Sequence, residues 1–252
     1  MKQILTFLVI FFCLTRLAVA QKIVTLGSLE YPPYTGAHLK NEGFVTEVVR
    51  EAYKRVGYKV NIKYYPWART IAMAKEGKND GIVNIWERVE RMSWILFSDP
   101  MPGSELVFYK RKGRKIPFDG KNYLALKPYE IGTGRGYANP EEFEAVKDQL
   151  KIQLVTKDKQ NLRKLVSGRI DLLIIDKFVS NYILVNQLPE FIQDLDYIDI
   201  PLSIEPSRLG ISKKPPDANR KLVDFNKGLT IFIREGGIET TLAKHGLQEK
   251  ID

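Results

Sequence analysis

Strand and helix patterns alternate from residue 22 to the end of the chain, and that alternation predicts an α/β protein with largely parallel sheets. Two further observations support it. Apolar residues make up 44% of the 252 residues and charged residues 27%, a balance that favours a packed domain over a disordered chain. The length also suffices for one large core or two modest ones. No repeat of short period and no long low-complexity run interrupts the pattern.

The first twenty residues read as a leader instead of part of the fold. Lys2 supplies a positive start, "ILTFLVIFFCL" is a short apolar run, and "AVA" ending at Ala20 gives the small residues a signal peptidase needs. The run is too short for a permanent transmembrane helix, and Arg16 interrupts it. Cys13 raises the alternative of a lipid anchor, which the bulky Phe12 before it disfavours. Cleavage after residue 20 removes the only cysteine, so the exported chain needs no disulfide and no thiol nucleophile.

Taken in order, "KIVTLGSL" reads as a strand from Lys22 to Leu29. In "GFVTEVVREAYKRVG" the apolar Val45, Val48, Val49, Ala52, Tyr53 and Val56 recur at helical spacing, and Gly57 ends the run. "YKVNIKYY" is a strand, Trp67 to Glu76 a helix stopped by Gly77, and "DGIVNI" a strand. "ELVFYKR", Glu105 to Arg111, is extended and runs into the basic stretch "KRKGRK", Lys110 to Lys115.

A second cycle follows. "YEIGT" is a strand, and Asn139-Pro140-Glu141-Glu142 reads as a helix start with a cap, an N1 proline and N-terminal acids. "KIQLVT" is a strand, Asp158 caps the helix "KQNLRKLVSGR", "IDLLIID" is a buried strand, and "KFVSNYILVNQL" a helix. "LDYIDIP" is extended, and "SRLGISKK" is a strand before two closing helices.

The formal net charge of +9 falls by two once Lys2 and Arg16 leave with the leader. What remains is spread out except at "KRKGRK", read either as a solvated connector or as a patch for anionic lipid or a partner. No aromatic-and-basic recognition motif accompanies it, so nucleic acid is not an expected partner. The only histidines, His38 and His245, sit in a surface-loop pattern and at a helix C-terminus, and no metal-ligand cluster or cofactor motif is present. The turn "GTGRG" lacks the G-x-G-x-x-G spacing of a dinucleotide loop. Its glycines are those of a tight turn or of a close backbone approach to a small anion.

The order of "YPPYTG", "GFVTEVVREAYKRVG", "ERMSWILFSDP", "IGTGRGY", "LVSGRIDLLIID" and "LGISKK…FNKGLTIFIREGGIETTLAKHG" resembles family 3 of the bacterial extracellular solute-binding proteins. The resemblance covers residues 22–247. It implies a two-lobed, type II periplasmic-binding-protein-like fold with two hinge strands, Glu105–Arg111 and Ile200–Glu205. Lobe one is then residues 22–109 plus roughly 203–252, and lobe two roughly 110–202, with a ligand cleft between them. It also implies a monomer without cofactor that captures a small polar solute in the periplasm. Such a protein would deliver its solute to a membrane ABC permease or present it to a signalling receptor.

By the same resemblance Arg91 pairs with a ligand carboxylate, a task suited to a planar, permanently charged fork. The other reading makes it a surface partner of Glu87 or Glu90. Asp176 matches the aspartate that takes a ligand ammonium, or it caps the helix starting at Lys177, or both. Thr133, Arg135 and Gly136 would contact the anion from the turn, unless that turn is purely structural. Glu30, Tyr31, Trp67, Arg69, Asn84 and Trp86 complete the expected ligand shell, whereas Trp94 is read as packing.

The segment "NIWERVER" departs from the small hydroxyl residues usual before the arginine, and "PWAR" adds Arg69. The cluster of Arg69, Arg88, Arg91 and Arg135 points to an anionic or zwitterionic solute, such as an amino acid or a derivative. Two other classes stay open: an exported dehydratase working through Glu30 or Asp176, and a free sensor subunit. The sequence ends at Asp252 without a transmembrane helix or kinase, so fusion to signalling machinery is not expected.

Overall fold

The computed structural model describes residues 21–247, and the leader read over residues 1–20 lies outside them. Ten strands form one continuous order, β2-β1-β3-β10-β5-β8-β6-β7, with β4 attached to β10 and β9 to β5. The first half of this order contains β1 (Lys22–Ser28), β2 (Tyr58–Tyr64), β3 (Gly81–Ile85) and β4 (Ile95–Phe97). The second half contains β6 (Glu130–Gly134), β7 (Lys151–Val155), β8 (Leu172–Asp176) and β9 (Leu195–Tyr197). In each half one strand is flanked by two parallel neighbours: β1 lies between β2 and β3, and β6 between β7 and β8. The mostly apolar sequences of β3 and β8, interrupted by Asn84 in the first and closed by Asp176 in the second, follow from burial on both faces, and all five residues of each are buried.

Two long strands join the halves. β5 (Met101–Arg111) and β10 (Ser203–Ser212) pair antiparallel, with Ser203 opposite Leu106 and Ser207 opposite Met101. Beyond that contact β10 continues along β3 in the first half, while β5 continues along β8 in the second. β10 slips register twice, between Glu205 and Ser207 and again between Arg208 and Leu209. The sequence places the first crossing strand at Glu105–Arg111, whereas the strand starts at Met101. Pro102 and Gly103 lie inside this strand at the irregularity between the pairs Met101–Ser207 and Ser104–Glu205, and a Cβ at Gly103 would lie 2.3 Å from the Glu205 carbonyl oxygen. Glycine is required there by the approach of the two crossing strands.

Helix α1 (Phe44–Arg55) buries Val45, Val48, Val49, Ala52 and Tyr53, as its period predicts. It packs on α6 (Ala218–Arg234), whose Phe225 and Leu229 are buried. The remaining helices are α2 (Trp67–Lys75), α3 (Glu141–Glu144), α4 (Asp158–Val166), α5 (Lys177–Gln187) and α7 (Gly237–Lys244). Two helix starts differ from the sequence reading. Pro140, not Asn139, occupies the N-cap of α3, a single turn. The Asn139 amide is held instead by the Thr133 hydroxyl, which donates to it at 2.9 Å, and by Glu144, to which it donates at 2.6 Å. Asp158 is the first residue of α4 and not its cap, while the Gln160 side chain accepts from the Lys157 amide at 3.3 Å.

The basic stretch is neither a free patch nor fully solvated. Arg111 donates to the Leu165 and Ile170 carbonyls, both at 2.7 Å, and pairs with Asp171 at 3.0 Å. Arg114 pairs with the same carboxylate at 3.1 Å, and Lys110 with Asp196 at 3.2 Å. These contacts tie the start of the connector to the second half of the sheet.

Candidate functional site

A small pocket of about 40 Å³ lies where the two halves meet. Its lining is Leu29 and Tyr31 after β1, Trp67 at the start of α2, Asn84 in β3, Trp86 and Arg91 in the turn beyond, and Tyr137 and Ala138 after β6. Most of these residues follow the carboxyl end of a strand, where open α/β sheets bind ligands. A space of this size holds water-sized groups only. It shares Trp67, Arg91, Tyr137 and Ala138 with a neighbouring cleft of about 770 Å³ that also carries Lys75, Arg88, Glu90, Asn139 and Glu141. On the other side Leu29 and Trp67 border a groove of about 690 Å³ that includes Glu30, His38, Tyr65, Asp158 and Tyr182.

Arg91 is the charged residue of the small pocket, and it is only 8% exposed. Its guanidinium donates to the Trp86 carbonyl at 2.8 Å and lies 5.7 Å from the centre of the Trp67 ring. Among the described residues no carboxylate forms an ion pair with it. Burial first, and then the charge of Arg88, lower its pKa to about 10. A buried guanidinium without a counter-charge is costly.

Beside it, Asn84 adopts a left-handed conformation, φ 61°, and its buried Oδ1 has no hydrogen-bond partner among the described residues. A non-glycine residue held in that conformation stores strain of the kind found at ligand clamps. The pocket wall thus offers one anion-seeking group and one acceptor seeking a donor.

Arg88 and Glu87 of the same turn are anchored to β10. Arg88 makes a two-point bond to Glu205, 2.9 and 2.6 Å, and Glu87 pairs with Arg208 at 2.9 Å. Burial pulls the Arg88 pKa down, but the Glu205 hydrogen bond together with the charges of Glu205, Glu90 and Glu141 raises it on balance.

The opposing wall is built on the turn after β6. Trp67 Nε1 donates to the Gly136 carbonyl at 2.9 Å, bridging the two walls. Tyr137 presents its ring edge to Tyr31, 6.0 Å between centroids, and donates to Asp158 at 3.0 Å. A Cβ on Gly134 would lie 2.4 Å from the Tyr137 ring, so the glycine makes room for this side chain. Asp176 is fully buried; its Oδ1 accepts from the Val179 amide at 2.9 Å and from the Tyr34 hydroxyl at 3.4 Å. Its Oδ2 has no hydrogen-bond partner among the described residues. Burial raises the Asp158 carboxyl to about 6 and the Asp176 carboxyl to about 7.

The model of the bacterial extracellular solute-binding proteins, family 3, matches residues 23–245. The chain belongs to this family. Similar solved structures include the arginine-binding protein ArgBP of T. maritima, in mutant form, at 22% identity and TM-score 0.74, covering 90% of this chain and 96% of that one. An ABC uptake transporter substrate-binding protein from Streptococcus pneumoniae with bound histidine matches at 21% identity and TM-score 0.74, over 90% and 93% of the two chains. The GluR0 ligand-binding core of Nostoc punctiforme in complex with glutamate matches at 18% and 0.73, over 89% and 100%. No curated protein matches the sequence. The fold of these neighbours is the two-lobed type II periplasmic-binding-protein architecture, and the chain is a solute-binding protein of that fold.

In this solute-binding protein the residues singled out from the sequence divide unevenly among the small pocket, the larger cleft and the groove. Tyr31, Trp67, Asn84, Trp86 and Arg91 gather in the small pocket. Gly136 reaches the larger cleft and meets Trp67 through its carbonyl. Glu30 borders the opposite groove, where its carboxylate accepts from the Ala37 amide at 3.1 Å. Arg69 is exposed and stacks 4.7 Å over Tyr65, and Arg135 is exposed on its turn. Thr133 is buried on Asn139, and Asp176 caps α5 behind Tyr34. None of Glu30, Arg69, Thr133, Arg135, Gly136 and Asp176 lines the small pocket.

Tyr137, Asp158 and Glu205 are absent from the sequence-derived set. For Tyr137 a signal existed, because a large aromatic directly follows the glycines of "GTGRGY". Asp158 looks like a helix cap, and Glu205 meets Arg88 from 117 residues away, a pairing that no local pattern reveals.

Proposed function

We propose that this solute-binding protein captures a small zwitterionic or anionic solute, an amino acid or a derivative, between its lobes in the periplasm. It then presents the closed form to a membrane ABC permease. One observation carries the reading: Arg91 is buried in the pocket wall without an anionic partner of its own. The solute's carboxylate takes that place, a donor on the solute meets the Asn84 oxygen, and the remainder extends into the larger cleft. Each lobe supplies part of the contacts, so closure about β5 and β10 is favoured when the cleft is filled. The amino-acid-bound structures among its neighbours support the solute class, and the transporter component among them supports delivery to a permease.

A thermal-shift screen over amino acids, small peptides and organic acids tests the proposal. The cognate solute is expected to add about 4 kcal/mol at a thousand-fold excess over its dissociation constant. A full screen with no stabilising carboxylate, or full stabilisation retained in Arg91→Met, overturns it. Scattering should report a more compact particle with the solute bound.

A further inference from the structure

Arg88 and Arg91 both border the larger cleft, three positions apart on one turn, yet their surroundings differ. Arg88 directs two N–H groups at Glu205 and shares one of them with the Glu87 carbonyl at 2.7 Å. Its side chain and that of Glu205 are each 12% exposed. The alternative partner, Glu87, is itself held by Arg208. Glu87, Arg88, Glu205 and Arg208 therefore form a group with no net charge, and Arg91 stands outside it. The rest of the larger cleft adds Glu90, Glu141 and Glu144 facing Lys75 and Lys147, with Lys147 bound to Glu144.

We infer that Glu205 restricts the site to solutes with a single anionic group, because it holds Arg88 in a two-point ion pair and leaves Arg91 alone to receive the solute. This rests on the reading that Arg91 holds the anionic end. Among the described residues of this wall a second carboxylate on the solute would meet no uncommitted guanidinium, and it would lie near Glu90 and Glu141, with Lys75 drawn off over the Trp94 ring at 5.2 Å. Nor does any carboxylate line the small pocket, where Trp67, Trp86, Tyr31 and Tyr137 surround the space beside Arg91. The favoured solute is therefore singly anionic at one end with an uncharged body compatible with aromatic walls. Glu205 acts through Arg88, as a specificity-determining residue that does not touch the solute.

Size-matched pairs that differ only in charge test this: asparagine against aspartate, glutamine against glutamate, and mono- against dicarboxylic acids of equal length. Calorimetry on the wild-type protein should give tighter binding for the singly anionic member of each pair that binds. Glu205→Gln keeps the shape and frees Arg88, and should shift the ratio toward the doubly anionic member by about tenfold or more, the worth of one hydrogen bond between charged groups. Arg88→Met, which leaves Glu205 unpaired, should shift it the opposite way. The double replacement Arg88→Met with Glu205→Leu removes both charges and should restore the single-anion preference, which mere loosening of the turn would not do. Should Glu205→Gln fail to fold, the wild-type ratio and the Arg88→Met shift still decide.

A wild type that binds the doubly anionic members equally well or better overturns the inference and leaves the Arg91 reading intact. So does an unchanged ratio in a folded Glu205→Gln. A wild type that binds no compound in the panel overturns both.

Discussion

The two walls of the cleft solve opposite electrostatic problems. On the first wall a buried cation, Arg91, is left without an internal counter-charge, while its neighbour Arg88 is fully paired. On the second wall two buried carboxyls, Asp158 and Asp176, face tyrosines and a helix N-terminus instead of cations, and burial pushes both pKa values up. The first wall thus keeps one buried guanidinium outside any ion pair among the described residues. The second wall meets its buried carboxyls with neutral donors, except at the Asp176 Oδ2, which has no hydrogen-bond partner among the described residues. The contrast supports the proposal that the anionic end of a solute docks on the first wall and that the second wall closes over it.

The strongest challenge to that contrast is Arg91→Met. It should remove about 2–5 kcal/mol of solute binding while the ligand-free melting temperature changes little, since Arg91 makes a single hydrogen bond within the protein. Titration calorimetry and thermal scans of the two proteins check both halves of the statement.

Tyr137→Phe attacks the other wall. It leaves the Asp158 carboxylate without its buried donor, and the ligand-free protein should lose about 1–3 kcal/mol in denaturant unfolding at neutral pH. The same substitution should push the Asp158 carboxyl up further, because the tyrosine hydrogen bond now lowers it. Unchanged stability would mean that the second wall does not depend on its neutral donors.

The second wall also implies a pH dependence. Asp158 and Asp176 have native pKa values of about 6 and about 7, above those of the unfolded chain. Between roughly pH 4 and pH 7 the native state therefore holds protons that the unfolded state has released, and stability falls as pH rises through that window. The ligand-free melting temperature should climb on acidification from about pH 8 to about pH 5, and Asp176→Asn should flatten the upper part of the slope. A solute whose ammonium lies against Asp176 would flatten it too. That last result would extend the solute's contacts to the second wall.

Trp67→Phe should have the smallest effect. It removes the indole donor to Gly136 and should cost about 1 kcal/mol, felt by the closed form alone. Scattering of the ligand-free protein should then report a larger mean radius.

Much of the fold is legible in the sequence because period and punctuation agree there. The apolar spacing of α1, the buried runs of β3 and β8 and the glycine stops each specify an element without help from distant residues. The start of β5 is not legible, since Pro102-Gly103 is permitted only by the close approach of β10, a contact made by distant chain. Within the site, Arg91, Trp67 and Trp86 announce themselves as residue types suited to binding. The roles of Asn84 and Glu205 depend on a backbone angle and on a partner remote in sequence. Tyr137 stands between these cases. The glycines before it are visible, but their purpose, to clear space for a ring, emerges only when the ring is in place.

The two register slips of β10 fall on either side of a short span, Pro206 to Arg208, inside the strand that serves both lobes. The ladder is already irregular at these points, so the proposed closure would be taken up there at the least cost in backbone pairing. The turn that bears Arg91 is fastened to both ends of that span, through Arg88 to Glu205 and through Glu87 to Arg208, so the proposed closure would carry Arg91 with it.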